Sequence, residues 1–585
     1  MPARLCQSCQ ALPNSFFEYR TSVPSSRRLH HVSFESLEAS ANGGCSVCSL
    51  LYTKLAPIHT LGPHPCLEVV GWDPVLQPDR LNSLRQDQGI FLQTSSYPRA
   101  EPGFPPKTLL DVGSGSRATL RLISTTDSKP GAYKYLTLSY CWGRSMPISA
   151  TTRTDTLAQR ILRIRLRKLP RTFRDAVAIT RRLSLRYLWI DSLCILQNFA
   201  EDWQRESALM GKTYSHSACT LAAAASVDCH GGLFAKRSEL PILGVTSSTS
   251  SSRSSFVLLK QRYEGWDDLF RQSPLNSRGW TLQERELSPS IIYFTKHTML
   301  FECRETRGSE RGESKGDTCQ PTAKEDLIPK SLVKDIDAQR CMDEIPLERQ
   351  VSNHFDWRKE RRYEAWLEMV QAYSERHLSV SSDKFPGLSG LASELAYLLN
   401  DEYVAGIWMG DIHSGLAWRF PTNRENRSAQ ESNYGPSWSW AKVAGPISYD
   451  IVRRYHKSQK EILHQAASTM ELTNPILLYA SSIPAGNDLH GTLLSASLHF
   501  FGQSIPIRRS KKANYVARGE SIAIIWDSFP HPSSDVSLFS LGQIAAGLVL
   551  VAHASAERTY RRVGIVQNLS PSWFTNAQSQ QLILV

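Results

Sequence analysis

Three short stretches of this chain carry residue types that could do chemistry together. The first, Cys141-Trp142-Gly143-Arg144, follows the β-rich run YLTLSY. The second is Asp191, the one carboxylate within the apolar run RYLWIDSLCILQ. The third, NSRGWTLQERELS from Asn276 to Ser288, holds Arg278, Trp280 and Glu284, and Glu206 adds an acid from a separate segment. Four residues separate Trp280 from Glu284, so a helix stacks them on one face. An indole face beside a carboxylate suits a planar cationic ring such as a nicotinamide. Burying an unpaired carboxylate is expensive, so Asp191 is expected at a sheet rim, past a strand that ends at Ile190. Each residue also has a plainer role open to it. Trp142 and Trp280 are candidate core anchors, and Asp191 a cap for the following turn. Glu284 is a candidate surface partner of Arg278 or Arg285, and Glu206 a solvated acid.

A different chemistry is offered by Cys6, Cys9, Cys45 and Cys48, two C-x-x-C pairs near the N-terminus. Four thiolates suit a tetrahedral structural zinc, and His30 or His31, between the pairs, could replace one. The gap of 35 residues is longer than in typical fingers. Four small buried thiols are the alternative. No helix between the pairs shows a base-reading face, so nucleic acid is not the expected partner.

The elements must position these residues within a chain of 585 residues, too long for one core. It is 41% hydrophobic and 21% charged with 14 Trp, a globular composition. No apolar run reaches membrane-spanning length, and MPARLCQSCQ has no secretory h-region. A cytoplasmic location with reduced thiols is therefore expected. The net charge of +12 is concentrated in Arg153 to Arg186, which alone carries +9. An anion site is one reading of that segment. A solvated face is the favoured one, because no aromatic residues alternate with the charges.

Within the dense block from Tyr135 to Phe301, strand and helix signals alternate. YLTLSY reads as a strand. LPRTFRDAVAITRRL reads as a helix, with Thr172 and Asp175 as an approximate capping box. RYLWI is a second strand, AEDWQRESALMGKTYS a second helix and ACTLAAAAS a third strand. This order is the α/β signature, and ligands of open parallel sheets bind outside the carboxyl ends of the strands. The expected divisions are a Cys-pair segment over 1–60, the α/β block over 133–301, a disordered linker over 302–330 and a mixed α+β region over 360–585. In the last, WLEMVQAYSERHLSV places Trp366, Met369, Val370 and Tyr373 on one helical face. GLVLVAHASAERTYRRVGIV reads as two strands joined by a polar hairpin.

YLTLSYCWG, the run from LPRTFRDAV to LAAAAS, and RGWTLQERELSPSIIYF resemble, in order, the three signature blocks of the fungal heterokaryon incompatibility (HET) domain. The resemblance covers roughly Tyr135 to Phe294. DKFPGLSGLA, YVAGIW and PSWSWA resemble companions common in HET proteins. The resemblance implies non-self recognition ending in programmed cell death. It also implies a distant similarity to TIR domains, hence a TIR/flavodoxin-like parallel sheet. TIR enzymes cleave the nicotinamide-ribose bond of NAD with a glutamate, and WTLQE places Glu284 at the matching spacing from Trp280. Thr281 stands where the TIR pattern often has Cys, and the long loop before Asn276 departs from TIR spacing. On this reading Glu284 is the catalytic residue, and Cys141, Trp142, Gly143, Arg144, Asp191, Glu206, Arg278 and Trp280 surround NAD. Arg144 or Arg278 would hold the pyrophosphate, and the step needs no metal cofactor. A non-enzymatic module acting by self-association or on a protein partner is the alternative, and a zinc-containing nucleic-acid-binding protein a second.

Overall fold

The computed structural model describes residues 39, 42, 104–113, 119–126, 133–235, 243–248, 254–259, 266–303, 307–309, 357–421, 434–453, 474–509, 515–527, 535–553 and 556–585. Cys6, Cys9, Cys45 and Cys48, with the expected Cys-pair segment, lie outside these residues. The chain divides into two units, one of Met1–Ser96 with Lys236–Leu269 and one of Tyr97–Ala235 with Phe270–Val585. The first contains an antiparallel pair of strands, β6 and β7 below.

The strands of the α/β block are β1 (Thr108–Asp111), β2 (Arg121–Ser124), β3 (Tyr135–Ser139), β4 (Tyr187–Trp189), β5 (Cys219–Ala222), β8 (Ser290–Phe294), β9 (Met299–Cys303) and β10 (Arg307–Ser309). The hairpin of the first unit is β6 (Leu243–Ser248) with β7 (Ser254–Leu259). The eight strands of the block form one sheet in the order β10-β9-β8-β5-β3-β4-β1-β2. Its centre is parallel, with β3 between β4 and β5 and β8 beyond β5. The flanking strands are antiparallel. The buried centre explains the composition: all residues of β3 and β5 are buried, so these strands read as apolar runs rather than alternating ones.

Helices α1 (Leu157–Leu162) and α2 (Arg171–Arg182) lie in the crossover from β3 to β4, and α3 (Asp191–Cys194) and α4 (Ala200–Ser215) in that from β4 to β5. The short helix α5 (Thr281–Leu287) precedes β8. The crossover from β3 steps towards β4, whereas that from β5 steps the opposite way, towards β8. With right-handed crossovers, α2 covers one face while α4 and α5 share the other, and α4 and α5 do pack together. Helix α2 buries Phe173, Ala176, Val177 and Thr180, as its spacing predicts. Its cap differs from expectation. Pro170 is the N-cap, two residues earlier, so Thr172 and Asp175 are inside the helix. They bind the loop after β5 instead, accepting from Gly232 N at 3.1 Å and Leu233 N at 3.0 Å.

Two sheet edges differ from the expected boundaries. β1 and β2 precede residue 133, in a stretch too short and Pro-interrupted to show a strand period. β10 lies within the expected 302–330 linker. Its polar RGS is compatible with an edge position, where unpaired strand groups face solvent.

The C-terminal region is mixed, with α6 (Trp357–Ser374), α7 (Pro386–Leu399) and α8 (Ile412–Leu416) preceding most of its strands. Trp366, Met369, Val370 and Tyr373 are all buried on α6. A small hairpin, β11 (Tyr403–Val404) and β12 (Ile407–Trp408), follows α7. The remaining strands are β13 (Ile476–Pro484), β14 (Leu493–Arg509), β15 (Tyr515–Ala517), β16 (Glu520–Ile522), β17 (Ile524–Trp526), β18 (Val536–Ser540), β19 (Ala546–Ala552), β20 (Thr559–Gln567) and β21 (Ser579–Leu584). The expected hairpin is β19 with β20. Hydrogen bonding runs β14-β18-β19-β20-β21 and back to β14, a closed ring of five strands. Ile505, Leu538, Val549, Val566 and Phe574 belong to one buried cluster within it.

The helical pair is joined to the α/β block at a backbone crossing. A Cβ on Gly211 of α4 would lie 2.8 Å from Gly390 Cα of α7, and the reverse holds for Gly390. Only residues without a side chain allow that approach. The ring of strands is joined to the helical part by Arg562. Its buried guanidinium pairs with Asp527 at 2.8 Å, donates to the Leu416 and Trp418 carbonyls at 2.6 Å, and lies 3.5 Å from the Trp418 ring centroid. Trp366, Trp408, Trp418, Trp438 and Trp440 are each under 2% exposed, so the tryptophan-rich segments are core.

Candidate active site

The chain leaves β3 and β5 in opposite directions, which opens a crevice at their carboxyl ends, where open α/β sheets bind ligands. A cleft of about 310 Å³ lies there, lined among others by Ser139 at the end of β3, Ala222 at the end of β5, Glu284 and Arg376.

Glu284 reaches this cleft because α5 is buried along its whole length. A helix with the sequence TLQEREL survives burial because its polar side chains find partners on different sides. Gln283 accepts from Gly390 N at 3.2 Å. Arg285 forms a two-pronged pair with Glu302 at 2.9 and 3.1 Å and lies over the Phe270 ring. Glu284 accepts from Ser139 Oγ at 2.5 Å. Burial pushes the Glu284 carboxyl up to about 7, against the opposing pull of Arg278 and the Ser139 bond. At neutral pH it is therefore poised between acid and carboxylate, the property of a group that can act in either form.

Asp191 opens α3 directly after β4 and Ile190, at the rim as its position predicts. Tyr140 Oη donates to Oδ1 at 2.8 Å, Trp142 Nε1 to Oδ2 at 2.8 Å and Ser192 N to Oδ1 at 2.6 Å. Burial raises its proton affinity despite those donors. Arg278 donates to the Tyr140 carbonyl, and its charge acts on both Asp191 and Glu284. Adjacent residues Ser139 and Tyr140 thus tie Glu284 and Asp191 to one strand end, with one guanidinium near both.

The other expected residues divide. Cys141 is buried close to Arg278 and Glu284, and burial raises its thiol. Gly143 has φ +79°, and a Cβ there would meet Asp228 Cβ at 2.6 Å, so this turn requires glycine. Arg144 is exposed on the loop that follows. Trp280 is the N-cap residue of α5, and its side chain is bound by residues other than Glu284 and Ser139. Its Nε1 donates to Asp383 at 3.0 Å and its ring meets Trp203 edge-on at 6.5 Å. Glu206 is buried on α4 beside Arg205 at 3.4 Å. Burial and the neighbouring Asp202 raise its proton affinity, and Lys107 and Arg205 pair with Asp202.

Several residues of the site carry no local sequence signal. Ser139 and Tyr140 read as strand residues, although a hydroxyl ending an apolar parallel strand is a usable clue. Tyr214 donates to the Leu138 carbonyl at 3.3 Å below the cleft. Arg376 lies in the C-terminal region. It donates to Asn276 Oδ1 at 2.7 Å, Thr281 Oγ1 at 3.1 Å and the Arg278 carbonyl at 3.2 Å. Burial lowers its proton affinity to about 10, so it stays charged at neutral pH. No group of His, Cys, Asp and Glu among the described residues is arranged to hold a metal ion, and no helix among them is long and apolar enough to cross a membrane.

Residues 135–284 match the model of the family described as heterokaryon incompatibility protein (HET). This segment, about a quarter of the chain, is a HET domain. It runs from the first residue of β3 to Glu284 itself. No curated protein and no solved structure matches the chain.

Proposed function

We propose that this HET domain serves heterokaryon incompatibility by cleaving NAD at its nicotinamide-ribose bond, and that the loss of NAD triggers cell death. The parallel strands run β4-β3-β5-β8, which in order of appearance is 2-1-3-4, the order of flavodoxin-like sheets. That order supports a TIR/flavodoxin-like reading of the fold. The observation that carries the function is Glu284: a carboxyl at the reversal point of the sheet, held by Ser139 and titrating near neutrality.

In the reaction, the C–N bond to ribose C1′ breaks and its electron pair passes to the pyridinium nitrogen, releasing neutral nicotinamide. The ribosyl centre becomes oxocarbenium-like, and the Glu284 carboxylate offsets its charge. Water then bonds to C1′ and gives up a proton, to Glu284 or to solvent. Arg278, whose charge acts on both Glu284 and Asp191, would hold the pyrophosphate. Arg144, on the exposed loop, is a second candidate for it. Purified chain and its Glu284→Ala and Glu284→Gln forms should be compared for nicotinamide release. Equal release by all three removes Glu284 from the role.

A second reading, self-association without catalysis, draws on the strand β13. It is paired only with β14 among the described residues, carries no charged residue, and exposes Ile476, Leu478, Tyr479 and Ile483. Toxicity that survives Glu284→Ala yet is lost on placing lysines at Leu478 and Ile483 favours it.

A further inference from the structure

The cleft around Glu284 is shut. Glu284 is 7% exposed and Ser139 5%, so neither presents solvent-facing surface that a nicotinamide riboside group could reach. Beside residues of the HET segment, the cleft is lined by Arg376, which belongs to a connector in the C-terminal region. Arg376 holds Asn276, Thr281 and the Arg278 carbonyl across the mouth. The next residue pairs backbone to backbone with the same loop: His377 N donates to the Ser277 carbonyl at 2.6 Å, and Gly279 N to the His377 carbonyl at 2.9 Å. Leu378 lies against Gly279, where a Cβ would come within 2.4 Å of it. Asp383 takes the Trp280 indole N–H. Every residue from Asn276 to Trp280 is thereby tied, by backbone or side chain, to 376–383.

We propose that residues 376–383 form a strap that keeps the HET cleft closed, and that its release is what admits substrate to Glu284. The proposal rests on the NAD reading for the identity of the substrate, but not for the closure. The strap joins α6 to α7, and α7 has its own anchor at the Gly211–Gly390 crossing. The connector can therefore lift while α7 stays docked. It is held by separate hydrogen bonds, one backbone pair and one leucine contact, rather than by a shared apolar core. Anything that draws the C-terminal region towards a partner would pull on it.

The test uses the full chain with two independent changes. Arg376→Ala removes the three side-chain bonds, and Gly279→Ala pushes Leu378 away without altering a cleft residue. Two readouts are taken: alkylation of Cys141 by N-ethylmaleimide, mapped by peptide mass, and nicotinamide release from NAD. Cys141 is 6% exposed and adjoins the Tyr140 carbonyl that Arg278 holds. The expected result is at least tenfold faster alkylation together with faster NAD cleavage in both variants. Alkylation as slow as wild type in folded variants overturns the strap. Faster alkylation with slower NAD cleavage also overturns it as a closing device and makes it a support of the site. Faster alkylation with no NAD cleavage in any form upholds the closure and defeats the NAD reading instead. Should Arg376→Ala fail to fold, Gly279→Ala carries the test.

Discussion

Ser139 and Glu284, 145 residues apart in the chain, meet through a 2.5 Å hydrogen bond. The hydroxyl ends a fully buried parallel strand, and the carboxylate sits on a helix with no exposed side. Neither would be placed there by apolar packing, which favours replacing both.

The pH dependence of stability follows from that burial. Glu284 takes up its proton near pH 7 in the folded chain, against an ordinary value of 4.5. The folded state thus holds a proton that the unfolded state releases. The stability this gives is fully present below about pH 4.5 and is lost as the pH rises through about 7. A shift of that size corresponds to about 3 kcal/mol. Glu284→Gln keeps an acceptor for Ser139 and has no proton to lose. Its melting temperature should match wild type near pH 5 and exceed it at pH 8. A variant less stable than wild type at pH 8 contradicts this assignment of the carboxyl.

If the ionised form of Glu284 offsets the ribosyl cation, the cleavage rate of the wild type should rise with pH through about 7. A flat profile between pH 6 and 8 would place the rate-limiting ionisation elsewhere.

Asp191 is the hub of three donors. Asp191→Ala leaves Tyr140 Oη and the Trp142 indole without this acceptor, at a cost of about 2–4 kcal/mol given ~1.5–3 kcal/mol for a hydrogen bond to a charged group and partial relaxation. Asp191→Asn should recover part of the loss. Urea denaturation of the two variants separates this structural role from any catalytic one.

Gly211→Ala puts a methyl group against the backbone of α7. The expected loss is about 1–3 kcal/mol, the usual cost of overpacking, seen as a lower urea midpoint. If Gly211→Ala alone and Gly211→Ala with Gly390→Ala lose the same amount, the two sites are coupled through that crossing.

Arg562→Met removes the cation that pairs with the buried Asp527 carboxylate. The expected cost is about 3–5 kcal/mol. Arg562→Met with Asp527→Leu should recover much of it, and a thermal melt of the three forms reads both effects.

Much of the α/β block is legible from its sequence because its central strands are short, apolar and spaced by amphipathic helices. α4 spans the very residues that its pattern marks, and Asp191 falls at the rim because a lone carboxylate has no other inexpensive place. Trp280 shows where local spacing stops informing. Four residues from Glu284, it shares the helical turn, yet its indole is claimed by Asp383, more than 100 residues downstream. Arg376 was unreadable for the same reason: nothing near it in sequence marks a cleft. β1 and β2 each supply four residues, too few to establish a period. The closed ring of strands depends on β14, whose 17 residues pair with different partners along their length, a division that no window of sequence displays.

The Gly279–His377 pairing bears on how such domains can be exchanged between proteins. A graft cut at the borders of the family match would take the loop before Glu284 and leave behind the guanidinium and backbone that hold it. A working chimera would have to carry 376–383 from the same parent as 276–284, so the inheritable module is two pieces of chain that must travel together.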